Sequence, residues 1–185
     1  MVTGTPGTGK TTFSRQLSQR LGATHLELSR YALDNGLVIE RDAERDTSVV
    51  DLEAVKRSVK AMLRGGERLV VDGHYAHDAV SPGDAEAVIV LRRAPWVLAE
   101  ELRGRGYAPG KVWENVEAEA LAVCLVESLD RFPAEKVCEL DTTERTAQEV
   151  LEMGVAYLKG GCGGGYIDWL GYPETVELLR ARPCT

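Results

Sequence analysis

The chain has 185 residues, 44% hydrophobic and 28% charged, a globular composition that excludes a disordered or fibrous polypeptide. That length suits one α/β domain rather than two. With 22 basic against 29 acidic residues the net charge is −7, which disfavours a broad nucleic-acid surface, since neutralising phosphates needs clustered Lys and Arg. A small, highly charged ligand stays open, because a local pocket can oppose the net field, and a basic protein partner also fits. No apolar run approaches the roughly 20 residues needed to cross a bilayer. The start, Met1-Val2-Thr3-Gly4, lacks the charged and apolar regions of a signal peptide. Cys124, Cys138, Cys162 and Cys184 form no CxxC pair, so reduced thiols in a cytoplasmic protein are expected rather than a zinc site.

In chain order, Phe13, Leu17 and Leu21 stand at i, i+4 and i+8, one helical face over residues 11–21. His25 to Leu28 is a short strand candidate. Asp51 can cap a helix carrying Leu52, Val55, Val59, Met62 and Leu63, which Gly65-Gly66 stops. Arg68 to Val71 and Ala87 to Leu91 are short, β-branched and apolar, the pattern of strands buried on both faces of a parallel sheet. Pro95 opens a helix through Leu98 and Leu102 to Gly104 or Gly106. One longer helix is predicted over 111–130, with Val116, Ala120, Val123 and Cys124 inward. Val137 to Leu140 is the last strand. Thr146 to Glu149 has capping-box spacing at the start of a helix reaching about Tyr157. Residues 160–165, GGCGGG, read as a linker before a short amphipathic extension, Tyr166 to Arg182. The β-α alternation predicts an open parallel sheet covered by helices on both faces.

Gly4-Thr5-Pro6-Gly7-Thr8-Gly9-Lys10-Thr11 satisfies GxxxxGK[ST] and opens directly into a predicted helix, as a phosphate loop must. Its glycines let backbone N–H groups converge on phosphate oxygens, and the helix N-terminus adds its positive end. Gly7, Thr8 and Gly9 line that cradle. Lys10 would reach the β- and γ-phosphates, the Thr11 hydroxyl would bind Mg²⁺, and Thr12 would add a contact near the α-phosphate. The three residues before Gly4 leave the first strand very short for a central place. A start lying inside the natural one would explain it, as would support from neighbouring strands.

Leu69-Val70-Val71-Asp72 ends a buried strand with a carboxylate, which in this fold faces Mg²⁺, usually through water. His74, two residues on, could orient water or an acceptor phosphate; His77 reads as a loop residue. Arg105 joins a planar cation to a Gly106 hinge. Arg92, ending VLRR, could approach phosphate.

Together GTPGTGKTT (4–12), VVDGH (70–74), VLRR (90–93), LRGRGY (102–107) and K-x-x-x-N (111–115) resemble the adenylate kinase 6 family, particularly its archaeal members. These are nucleoside-monophosphate kinases also described as small-subunit ribosome-assembly ATPases. The resemblance covers residues 1–158 and implies a five-stranded parallel sheet of order 2-3-1-4-5. It implies ATP and AMP as substrates, Mg²⁺, ATPase activity, and transient contact with a platform ribosomal protein during small-subunit maturation. By position, Gly7, Gly9, Lys10, Thr11 and Thr12 would hold ATP phosphates, Asp72 and His74 would serve Mg²⁺ and the transfer, and Arg105 would open the lid. The monophosphate region would span about 27–50, with Ser29 and Asp46 as contributors, and the lid about 104–114. Asp141-Thr142-Thr143 falls where this fold lines the adenine pocket. The acidic stretches 40–53 and 114–119 would suit a basic partner. The competing assignments are a nucleotide-gated assembly factor whose main role is binding a ribosomal protein, and a small-metabolite kinase on the same fold, against which the LRGRGY segment speaks.

Overall fold

The computed structural model of the protein describes residues 1–42, 47–160 and 166–182. Its strands are β1 (Val2–Thr3), β2 (Thr24–Glu27), β3 (Val38–Asp42), β4 (Thr47–Val50), β5 (Leu69–Asp72), β6 (Val88–Arg92) and β7 (Val137–Asp141). The helices are α1 (Lys10–Leu21), α2 (Leu28–Asp34), α3 (Leu52–Arg64), α4 (Ala76–Ala79), α5 (Pro95–Gly104), α6 (Pro109–Ala120), α7 (Val123–Arg131), α8 (Ala147–Leu158) and α9 (Pro173–Arg180). Five strands form one parallel sheet in the order β2-β5-β1-β6-β7, which counted within the sheet is the expected 2-3-1-4-5.

Strand alternation explains the two cores. Val70, Ile89, Leu91, Cys138 and Leu140 point to the α1 and α8 face with Phe13, Leu17, Val150 and Val155. Their neighbours Val71, Val88, Val90 and Val137 point the other way, onto Leu28, Val55, Val59 and Leu125. Both faces are covered, so the strands read as unbroken apolar runs. The two-residue β1 is held on each side, Val2 standing opposite Asp72 of β5 and Ile89 of β6.

Local signals placed most helix ends. The Asp51 carboxylate accepts the Ala54 amide at 2.9 Å, and Thr146 with Glu149 forms a reciprocal capping box. Two departures have tertiary causes. The helix predicted over 111–130 breaks at Ala122, whose φ is +54°. Its first half turns Val112 and Val116 toward Leu98 and Leu102 of α5, while its second half turns Cys124 and Leu125 into the sheet core. One straight helix cannot serve both surfaces. Within the 27–50 region, β3 and β4 pair as an antiparallel hairpin, an element the sequence pattern does not announce.

Gly160 follows α8; linker residues 161–165 lie outside the described residues, as do Asp46 and Cys184. The C-terminal segment packs back onto the domain, with Trp169 buried and Leu178 and Leu179 against the α5–α6 cluster. No helix among the described residues is long and apolar enough to cross a membrane.

Candidate functional site

The site forms at the carboxyl ends of the central strands, where the chain turns from β1 into α1. Gly4 has φ +142°, and a Cβ there would stand 2.4 Å from the Leu91 carbonyl oxygen. Gly7 has φ +94°, and its Cβ would stand 2.6 Å from Leu98 Cδ1, so the loop sits tight on β6 and α5. Gly9 occupies the N-cap of α1 without any side-chain cap, leaving first-turn N–H groups for a ligand. The Thr5 carbonyl gathers the loop: it accepts the Thr8 hydroxyl at 2.9 Å and Lys10 Nζ at 3.0 Å. Thr11 is half-buried and Thr12 exposed on the opening turn of α1.

Burial pushes the Lys10 ammonium below its ordinary value; Cys124, Asp72 and Glu119 oppose that, and Arg105 adds to it. Lys10, Asp72 and Arg105 therefore share one electrostatic neighbourhood, although they come from α1, β5 and the end of α5. Asp72 is 1% exposed, and its Oδ2 lies 3.1 Å from Nε2 of His25 on the adjacent β2. His74 joins the same group. By accessible area the residue is exposed, yet protein atoms crowd its ring. That crowding, with the Lys10, Lys111 and His77 charges, lowers its pKa from 6.5 to about 4. Lys111 brings the first turn of α6, within the predicted lid, to this cluster. His77 is buried on α4, rather than in the loop expected of it, between Asp78 and Glu127.

Arg105 is half exposed and chelates Glu101 Oε1 through Nε and Nη2 at 3.0 and 2.7 Å. Arg103 lies over the Trp113 ring, 5.9 Å from its centroid. Arg92 corrects its sequence expectation, being buried in ion pairs with Glu119 at 2.6 Å and with Glu139 rather than facing phosphate. As the last residue of β6 its side chain takes the inward direction, and two carboxylates hold it there. Its neighbour Arg93 goes to the loop instead. With Thr8, Gly9, Thr12, Thr142 and Arg145 it borders a hollow of about 160 Å³ at the start of α1. The Arg93 Nε is buried without a hydrogen-bond partner. Thr142 thus stands beside the loop. A larger cavity, about 670 Å³, lies at the other ends of the strands around Leu17, Leu63 and Tyr157, away from this chemistry.

Arg93, Arg145, His25 and Glu119 escape the sequence pattern. Arg93 carries a signal, being the first residue past a buried strand; His25 becomes visible only once β2 is registered on β5. For a divalent cation, the Thr11 hydroxyl and the Asp72 carboxylate offer hard oxygen donors of the kind Mg²⁺ takes. Among the described residues no group of three or more His, Cys, Asp and Glu is arranged to hold a metal ion.

A family model described as an AAA domain matches residues 1–122. A protein of Thermococcus kodakarensis carrying the name "Putative adenylate kinase" is 41% identical over 183 residues, covering 97% of each chain. One from Pyrococcus furiosus with the same name is 39% identical, covering 97% of this chain and 96% of its own. The chain belongs to the archaeal adenylate-kinase-like family. The match spans the C-terminal segment as well as the P-loop core. Solved structures share the family's fold at greater distance. A deoxyadenosine kinase from M. mycoides with bound dATP aligns with TM-score 0.52 and 16% identity, covering 85% of this chain and 97% of that one. A shikimate kinase from Aquifex aeolicus gives 0.53 and 14%, covering 89% and 98%.

Proposed function

We propose that the protein transfers the γ-phosphoryl group of ATP to a nucleoside monophosphate of the AMP type, with slow hydrolysis to water beside it. The observation that carries this is the uncapped start of α1 under residues 4–12, with Lys10 held on the Thr5 carbonyl within electrostatic reach of Asp72 and Arg105. In that reading the loop amides and Lys10 hold the triphosphate, and Arg93 and Arg105 approach it from α5's two ends. Catalysis is positioning plus charge neutralisation. Bound Mg²⁺, held by Thr11 and Asp72, would neutralise phosphate charge. His74, neutral above about pH 4, offers a nitrogen to water or the acceptor rather than a cation. Gly106, with φ +78°, gives the segment 104–114 its hinge, and closing that short lid decides between transfer and hydrolysis.

The 39–41% relatives support an adenylate-kinase-type acceptor over a sugar or shikimate acceptor, for which the distant solved structures speak only through fold. A cytoplasmic role in small-subunit maturation, with a platform ribosomal protein as partner, belongs to the same proposal. It rests on the family resemblance and the −7 charge. Residues 114–119 lend it no acidic face, since Glu114 pairs with Lys111, Glu117 with Arg182, and Glu119 is buried on Arg92.

The test is a time course of ADP formation with ATP, with and without AMP, before and after chelation of magnesium. Slow ADP release from ATP alone, rising with AMP and abolished by chelation, is expected. Strict dependence on AMP would remove the hydrolytic part; a chain with no affinity for adenine nucleotides would remove the whole. Nucleotide-dependent co-purification of a basic ribosomal protein tests the partner.

A further inference from the structure

The C-terminal segment contributes nothing to the machinery above, yet two hydrogen bonds connect it to the phosphate loop. The Trp169 indole N–H donates to Glu119 Oε1 at 3.1 Å. The other oxygen of the same carboxylate, Oε2, accepts the Thr5 hydroxyl at 2.6 Å. Thr5 then holds Lys10 through its carbonyl. Each link is buried: Thr5, Glu119 and Trp169 are at most 3% exposed. Low dielectric strengthens such bonds and makes each partner's loss expensive. Trp169 is itself clamped by the rings of Trp96 and Tyr172, at 5.8 and 5.4 Å. The Ile167 amide adds a second tie, donating to Glu139 at 3.0 Å.

We propose that the segment around Trp169 is a latch on the phosphate loop: together with Arg92 Nε and the Arg93 amide, its indole fixes the Glu119 carboxylate, which fixes Thr5 and so the carbonyl that Lys10 leans on. Trp169 and Glu119 are then positioning residues for triphosphate binding, acting without touching the nucleotide. The inference rests on the nucleotide reading above. Coupling between two sites is reciprocal, so a bound triphosphate that steadies the loop must steady the C-terminal segment equally.

Two variants remove the links while keeping shape. Trp169→Phe keeps a ring for Trp96 and Tyr172 but has no N–H donor; Thr5→Val keeps branching but has no hydroxyl. Calorimetric titration with Mg·ATP should show each binding roughly tenfold more weakly, the size expected for one charge-assisted bond. The double variant should bind no more weakly than the worse single one, since both act through one carboxylate. In Trp169→Phe the KM for ATP should rise while kcat stays within about threefold. Multiplicative losses in the double variant, or wild-type affinity in Trp169→Phe, overturn the latch alone. Absence of ATP affinity in the unsubstituted protein is a separate result that overturns the parent reading and the latch with it. Should Trp169→Phe not fold, hydrogen exchange on the unsubstituted protein decides. Mg·ATP should slow amide exchange over residues 167–172 by roughly threefold or more, and unchanged rates refute the latch.

Discussion

Arg92 and Glu119 meet at 2.6 Å with each side chain 1% exposed, an ion pair sealed beneath the phosphate loop. Glu139 shares the same guanidinium, and the Glu119 backbone carbonyl accepts from Arg92 Nη2 at 2.9 Å. One cation thus holds two carboxylates from α6 and β7 at the end of β6. Such an arrangement contributes little relative to a well-packed apolar core, but removing its one cation leaves two buried carboxylates with neutral hydrogen-bond donors and no counter-ion.

Arg92→Met, similar in length and unable to donate, is expected to destabilise the protein by about 3–5 kcal/mol. Denaturant unfolding without nucleotide measures it. A loss under about 1 kcal/mol would show that Glu119 and Glu139 are neutralised by other means.

Lys10→Met should separate function from folding. The ammonium is already disfavoured by burial, so removing it should leave the thermal midpoint unchanged or raise it. Turnover should fall by about a hundredfold or more, as when a preorganised charge donor is deleted from an electrostatic site. ADP formation and a melting curve on the same preparation check both halves. A variant retaining a third of wild-type turnover would take Lys10 out of the proposed machinery.

The parallel sheet and the loop were legible because both rest on short-range chemistry, whereas the strand order within the sheet was implied by the family resemblance. GTPGTGKTT dictates its own backbone, and apolar β-branched runs announce strands covered on both faces. The break at Ala122 was not legible: the sequence from 109 to 131 is helix-forming throughout, and only two separately placed cores demand the kink. Arg92 and Arg93 illustrate the limit at the site. Adjacent and chemically identical, they diverge because strand alternation sends one to Glu119 and the other to the loop. The end of the strand marks Arg93 as the first residue past it, but the carboxylates of α6 and β7 that hold Arg92 come from register that no local pattern encodes. Trp169 is the same case at longer range, since its partner stands 50 positions earlier.

Gly7→Ala tests the close approach of the loop to α5. The added methyl would meet Leu98 and Leu102 at 2.6 and 3.1 Å from a left-handed backbone, combining strain with overpacking. A destabilisation of about 1–3 kcal/mol is expected, with weakened ATP binding because the loop amides shift. Chemical unfolding and calorimetry read the two effects. Wild-type stability in this variant would mean that the Leu98 side chain yields freely.

His74 supplies a pH signature. Crowding by protein, then the Lys10, Lys111 and His77 charges, hold its pKa at about 4 instead of 6.5. The unfolded chain therefore binds this proton more tightly, and the His74 contribution to stability rises with pH between about 4 and 6.5, staying flat above. Across pH 5 to 8 the free protein should show no His74 titration in its histidine NMR spectra. Binding of Mg·ATP should move the value upward, because phosphate charge opposes the cations that depress it. A free-protein pKa near 6.5 would mean that Lys10 and Lys111 do not face the ring. An unchanged value in the complex would place the triphosphate away from His74 and take His74 out of the proposed transfer.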